Sequence, residues 1–127
     1  MIERLFPPGV PMPKNPYSPA VKAGGFIFVS GQIPMDSVSS EMSYGDIRHE
    51  ARITLGNIQR ILEGSGATLA NVVKVNVYLA NEADFAQMNE IYIEFFGRDR
   101  PARTTIGCRF ANSTMKVEID CIAYVGE

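Results

Sequence analysis

The sequence predicts an α+β domain in which two helices pack on one face of a mixed β-sheet. Two segments repeat apolar residues every three or four positions, which is the helical period. Other segments alternate apolar with polar residues or run as short aromatic and β-branched stretches, and the order is strand, helix, strand, helix, strand, strand. A length of 127 residues fits a single domain over residues 1–127.

Taking the elements in order, residues 7–19 hold six of the eight prolines and predict an extended or turning arm that needs something to dock against. Gly24-Gly25 opens Phe26-Ile27-Phe28-Val29, a buried strand that ends by delivering Ser30 and Gly31 to its tip. From Asp46 the positions Ile47, Ala51, Leu55, Ile58, Ile61 and Leu62 form an amphipathic helix closing near Gly64. Asn71-Val72 begins a strand in which Val73, Val75, Val77 and Leu79 alternate with Lys74, Asn76 and Tyr78. A second helix is capped by Asn81 or Asp84, carries Phe85, Met88, Ile91, Tyr92, Phe95 and Phe96 on one stripe, and closes at Gly97. After the charged loop Arg98-Asp99-Arg100, Pro101 starts a strand running to about Phe110. A turn at Asn112-Ser113 then leads into Met115, Val117, Ile119, Cys121 and Ala123, so the chain is expected to end as a hairpin.

Two helices cover one sheet face only. Polar and small residues such as Thr105, Gly107, Glu118 and Asp120 are expected on the other, and its burial against another subunit follows as an expectation. The formal charge of -2 and the scatter of the 12 Lys and Arg give no basic footprint, which argues against nucleic acid as the main partner. The longest apolar stretch is interrupted by Lys74 and Asn76 and falls well short of the ~20 residues of a membrane span. The first residues reach Pro7-Pro8 before a signal-peptide core could form, so a cytoplasmic location is expected. Two cysteines, Cys108 and Cys121, with His49 alone cannot close a four-ligand zinc site, and no metal is expected. GxSxG, P-loop, HExxH and GxGxxG patterns are all missing, and His49 reads as a solvated residue on the polar face of the first helix.

What remains is a set of segments found in order along nearly the whole chain. They are Pro16-Tyr17-Ser18, Ser30-Gly31-Gln32-Ile33-Pro34, Val73-Lys74-Val75, Phe85-Ala86-Gln87-Met88-Asn89, Arg100-Pro101-Ala102-Arg103-Thr104-Thr105 and Lys116-Val117-Glu118-Ile119-Asp120. Each is weak singly, but together they resemble the Rid (YjgF-like) family. The resemblance implies a chorismate-mutase-like fold assembled as a homotrimer, with three sites in clefts between adjacent subunits. It also implies cofactor-independent hydrolysis of enamine and imine acids such as 2-aminoacrylate, or its tautomer 2-iminopropionate, to pyruvate and ammonia. Members with an arginine at the position of Arg103 have this activity.

By its chemistry the Arg103 guanidinium can grip a substrate carboxylate bidentately. Glu118 is the matching family carboxylate, suited to place a water and to supply the proton that the departing ammonia needs. If the expected turn pairs Phe110 with Met115, the two residues share a sheet face several positions apart. One pocket then draws them from different chains or joins them through water. Tyr17 on the arm either walls the pocket or merely pins the arm. Ser30 and Gly31 offer backbone amides at a strand end, and Asn89 matches a family pocket residue. Thr105 matches a position often occupied by cysteine, whose main-chain carbonyl helps hold the water. Two segments depart from the family pattern, Met35-Asp36-Ser37-Val38-Ser39-Ser40 and Cys108-Arg109-Phe110-Ala111-Asn112, and they leave substrate size open. A larger enamine acid such as 2-aminomuconate is a second reading, and a non-catalytic binder of 2-oxo acids a third.

Overall fold

In the computed structural model, which describes residues 1–111 and 114–126, the strands form one six-stranded sheet. In chain order they are β1 (Ile2–Leu5), β2 (Ala20–Ala23), β3 (Phe26–Gln32), β4 (Val72–Leu79), β5 (Ala102–Gly107) and β6 (Val117–Tyr124). Helix α1 (Ile47–Gly64) joins β3 to β4, and α2 (Phe85–Phe96) joins β4 to β5. Across the sheet the order is β1-β2-β3-β6-β4-β5, with β4 and β5 parallel and every other neighbouring pair antiparallel.

Three expectations are corrected by this topology. β1 and β2 extend the sheet beyond the four expected strands. β5 ends at Gly107 rather than near Phe110. β5 and β6 also form no hairpin: β5 lies parallel to β4, while β6 inserts between β3 and β4. The unit β4-α2-β5 is a parallel crossover, and packing α2 onto the sheet outweighs the tendency of consecutive strands to pair. The expected turn at Asn112-Ser113 lies outside the described residues.

Helix α1 starts where Asp46 accepts a hydrogen bond from the His49 backbone N–H at 2.9 Å, an N-cap that satisfies one of the free donors of the first turn. Its buried stripe contains Ile47, Ala51, Leu55, Ile58, Ile61 and Leu62, as the periodicity requires. Ahead of α2, Asn81 caps a short 3-10 turn by accepting from the Ala83 N–H at 2.9 Å, whereas Asp84 makes no capping bond. The helix stops at Gly97, whose φ of +56° is costly for residues with a Cβ. Both helices meet the sheet on the face formed by Ile27, Val29, Val75, Val77, Ile119 and Cys121, and this is the core.

One buried carboxylate ties these parts together. Glu50 on α1 is fully buried; its Oε1 accepts from the Lys116 backbone N–H at 2.7 Å and its Oε2 from the Gly45 N–H at 3.1 Å, with Lys116 Nζ at 3.5 Å. Charge-assisted bonds of this kind offset the desolvation of the carboxylate and hold the entry to β6 against α1. The exposed pairs Arg48–Glu90 and Arg52–Glu94 join α1 to α2 and contribute little, since water screens them.

On the opposite face the sheet has no helical cover. Phe26, Phe28, Ile106 and Tyr124 stand on it between 41% and 47% exposed. The rings of Phe26 and Tyr124 are 5.0 Å apart, so part of this surface is a contiguous apolar patch.

Candidate functional site

Strand register assigns each candidate residue to a face. Arg103 pairs with Val75, which pairs in turn with Cys121, and Thr105 pairs with Val77 and through it with Ile119. Arg103 and Thr105 therefore belong to the helix face, so the expectation that Thr105 lies on the uncovered face is corrected. Glu118 pairs with Tyr78, and Tyr78 with Ile106, which puts Glu118 on the uncovered face. The expectation that Arg103 and Glu118 share a face is thereby overturned within one chain. It rested on the hairpin, and the insertion of β6 on the far side of β4 reverses the relation.

On the helix side, the Arg103 guanidinium carbon lies 4.7 Å from the centre of the Tyr92 ring and 5.6 Å from that of Phe85. Cation–π attraction of this kind contributes about 0.5–2 kcal/mol and fixes the plane of the fork. Among the described residues Arg103 forms no ion pair. It borders a concavity of about 310 Å³ together with Asn89, Tyr92, Arg100 and Pro101. Two buried polar atoms at this concavity, Asn89 Oδ1 and the Tyr92 hydroxyl, have no hydrogen-bond partner among the described residues, and neither has Thr105 Oγ1 nearby. A buried polar atom left unpaired costs about 1–3 kcal/mol, so such a cluster marks a place where another molecule supplies the partners. Burial pushes the Tyr92 hydroxyl up to about 12, with Arg103 pulling the other way, so it stays protonated at neutral pH and can donate a hydrogen bond. Thr105 lines a neighbouring hollow that it shares with Phe85, rather than the one containing Arg103 and Asn89.

On the uncovered side, Tyr17, Ser30, Gly31 and Glu118 line a concavity of about 380 Å³ with Asn15 and Met115. A bulge builds it: between Val29 and Gln32 the strand β3 uses three steps where β6 uses two, from Cys121 to Ile119. Gly31 sits in this bulge, and a Cβ there would collide with the Glu118 carboxyl group. Only glycine permits so close an approach. Ser30 is already committed: its N–H donates to the Pro19 carbonyl at 3.0 Å and its hydroxyl to the Ser18 carbonyl at 2.6 Å. Its amide is thus not free for a ligand, contrary to the expectation; Ser30 fastens the arm that presents Tyr17.

Burial raises the Glu118 pKa above the usual carboxylate value, and the negative charge of Asp120 raises it further. Asp120 is itself held by Asn76 Nδ2 and the Tyr78 hydroxyl, each at 2.9 Å. A raised pKa makes the carboxylate a stronger base, better able to take a proton from water and hand it on. Sequence reasoning missed Tyr92 and Phe85 beside Arg103, and Asp120 as the charge that neighbours Glu118. The two rings carried the signature of a core stripe, and Asp120 that of one more polar position in an alternating strand.

Residues 9–125 match the family model described as Endoribonuclease L-PSP. A RutC family protein of Pyrococcus horikoshii is 45% identical over 98% of this chain and 98% of its own. A 2-iminobutanoate/2-iminopropanoate deaminase of Dermatophagoides farinae is 40% identical over 93% of this chain and 92% of its own. A Rid family protein of unknown function from Yersinia pestis superposes with a TM-score of 0.94 at 30% identity, covering 98% of this chain and all of the other. Two helices on a six-stranded mixed sheet, matched over nearly the full length in sequence and in shape, make this chain a member of the Rid (YjgF-like) family.

Proposed function

We propose that the chain is a hydrolytic deaminase of small 2-imino and 2-enamino acids, 2-aminoacrylate and 2-iminopropanoate among them, working without a cofactor. The observation that carries this reading is the Arg103 fork, laid over two aromatic rings beside unpartnered polar atoms and facing no carboxylate of its own chain among the described residues. Such a group is suited to hold the carboxylate of an organic acid in two parallel hydrogen bonds.

Hydrolysis adds water to the imine carbon, breaks the C–N bond and releases ammonia, leaving a 2-oxo acid. Glu118 takes a proton from the attacking water and delivers it to the departing nitrogen. An enamine first takes a proton at its β-carbon and gives one up from its nitrogen, becoming the imine. Anchoring by Arg103 removes the cost of bringing the imine carbon to the water, and this proximity is a large part of the rate gain. Because Arg103 and Glu118 sit on opposite faces of one sheet, we place each reaction site between two copies of the chain, in a homotrimer that also covers the apolar patch of Phe26, Phe28 and Tyr124. The relatives' names support this chemistry. The charge of -2 with no basic stripe gives no support to an RNA substrate, despite the wording of the family model. No described helix is long and apolar enough to cross a membrane.

The test generates 2-aminoacrylate in situ with a serine dehydratase and follows its disappearance. Wild type should clear it far faster than buffer, while Arg103→Ala lowers kcat/KM by about 100-fold or more. Glu118→Ala lowers kcat by about 100-fold or more. A wild-type rate equal to that of buffer would sink the proposal.

A further inference from the structure

The concavity beside Arg103 is also lined by Arg100, an exposed residue, and no carboxylate among the described residues lines it. Arg100 Nε donates to the Gly97 carbonyl at 3.0 Å, at the point where Gly97 ends α2. That bond fixes the stem and leaves both terminal NH2 groups, with four donors between them, free of any ion pair among the described residues. Three positions separate the two arginines, so their Cα atoms lie at most about 11 Å apart, and Pro101 stiffens the connection. Tyr92 lines the same hollow, is 6% exposed and has an unpartnered hydroxyl. Two arginines that border a hollow of about 310 Å³ and form no ion pair among the described residues attract a molecule with two negative charges.

Resting on the deaminase reading, we propose that Arg100 is a specificity-determining residue that favours 2-imino and 2-enamino acids bearing a second carboxylate on the side chain. Arg103 grips the carboxylate next to the reacting carbon, and Arg100 receives the distal one. Charged partners at the mouth of a site act on discrimination and capture more than on the chemical step.

The test compares 2-iminoglutarate with 2-iminopentanoate, a neutral acid of the same chain length, each generated from its amino acid by an oxidase. Wild type should favour the dicarboxylate in kcat/KM by at least about fivefold. Arg100→Ala should bring that ratio to about one, and Arg100→Glu should reverse it, whatever the absolute rates. A wild-type ratio of one or below, or a ratio unchanged in Arg100→Ala, overturns the proposal. If wild type hydrolyses neither imine and also leaves 2-aminoacrylate untouched, the deaminase reading fails on its own; if it clears only 2-aminoacrylate, that reading stands. In either case equilibrium binding of 2-oxoglutarate and 2-oxopentanoate decides for Arg100. A preference for 2-oxoglutarate that Arg100→Ala abolishes sustains the proposal, and equal binding in wild type overturns it.

Discussion

The two concavities differ in how they are made. The one with Arg103 rests on rigid parts: a parallel strand pair, a helix and a guanidinium stacked on rings. The one with Glu118 is built from irregular parts, a bulge in β3 and a proline-rich arm, and its central group has an adjusted proton affinity instead of a fixed charge. A permanent cation needs orientation, whereas a proton carrier needs an environment. The contrast also shows that neither hollow contains both groups, so the proposed chemistry depends on bringing opposite faces of two chains together.

The sharpest way to break this comparison is to mix inactive partners. Arg103→Ala and Glu118→Ala protomers, unfolded together and reassembled in equal amounts, should recover about a quarter of wild-type turnover if each site takes one residue from each of two neighbours. Mixtures that stay as inactive as their parents would mean that both groups must come from one chain.

A smaller loss is expected at the bulge. Gly31→Ala forces the Glu118 carboxyl aside, because the added methyl and that group cannot occupy the same space. We expect kcat to fall about tenfold, since misplacing a catalytic group by roughly an ångström is costly, while KM changes little because Arg103 is untouched. An equal change in kcat and KM would refute this division of labour.

The smallest effect sharpens the proton-carrier side. Glu118 must be ionised to accept a proton, so activity falls as pH drops through its raised pKa, and the acid limb of the profile lies above the ordinary glutamate value. Asp120→Asn removes the neighbouring negative charge, which makes ionisation easier and moves that limb to lower pH. It should remain above the ordinary value, because burial is the larger cause of the elevation. A limb that stays in place would rule out Asp120 as a contributor.

Helices α1 and α2, and the interiors of β3, β4 and β6, were legible because their apolar periods of 3.6 and 2 extend over enough residues to be recognised. Strands β1 and β2 were not: each has four residues, and Ile2-Glu3-Arg4-Leu5 owes its strand form to pairing with β2 rather than to its own pattern. The partner of β5 was also hidden, because alternation tells which face a side chain takes and not which neighbour its strand finds. Arg103 and Glu118 could therefore be named from motifs, while their placement on opposite faces needed the sheet order. Glu50 escaped notice for a related reason, since a buried acid on a helix looks like a solvated one until its backbone donors are seen.

Ser30 ties the Tyr17 end of the arm to β3 through two bonds spaced one residue apart on the arm side. Losing that hydroxyl would slacken the loop carrying Tyr17, and a drop in turnover would follow without any bond from serine to the reactant. Position 30 is in this sense a rivet: it lets the floor of one hollow, the strand β3, dictate where its wall stands.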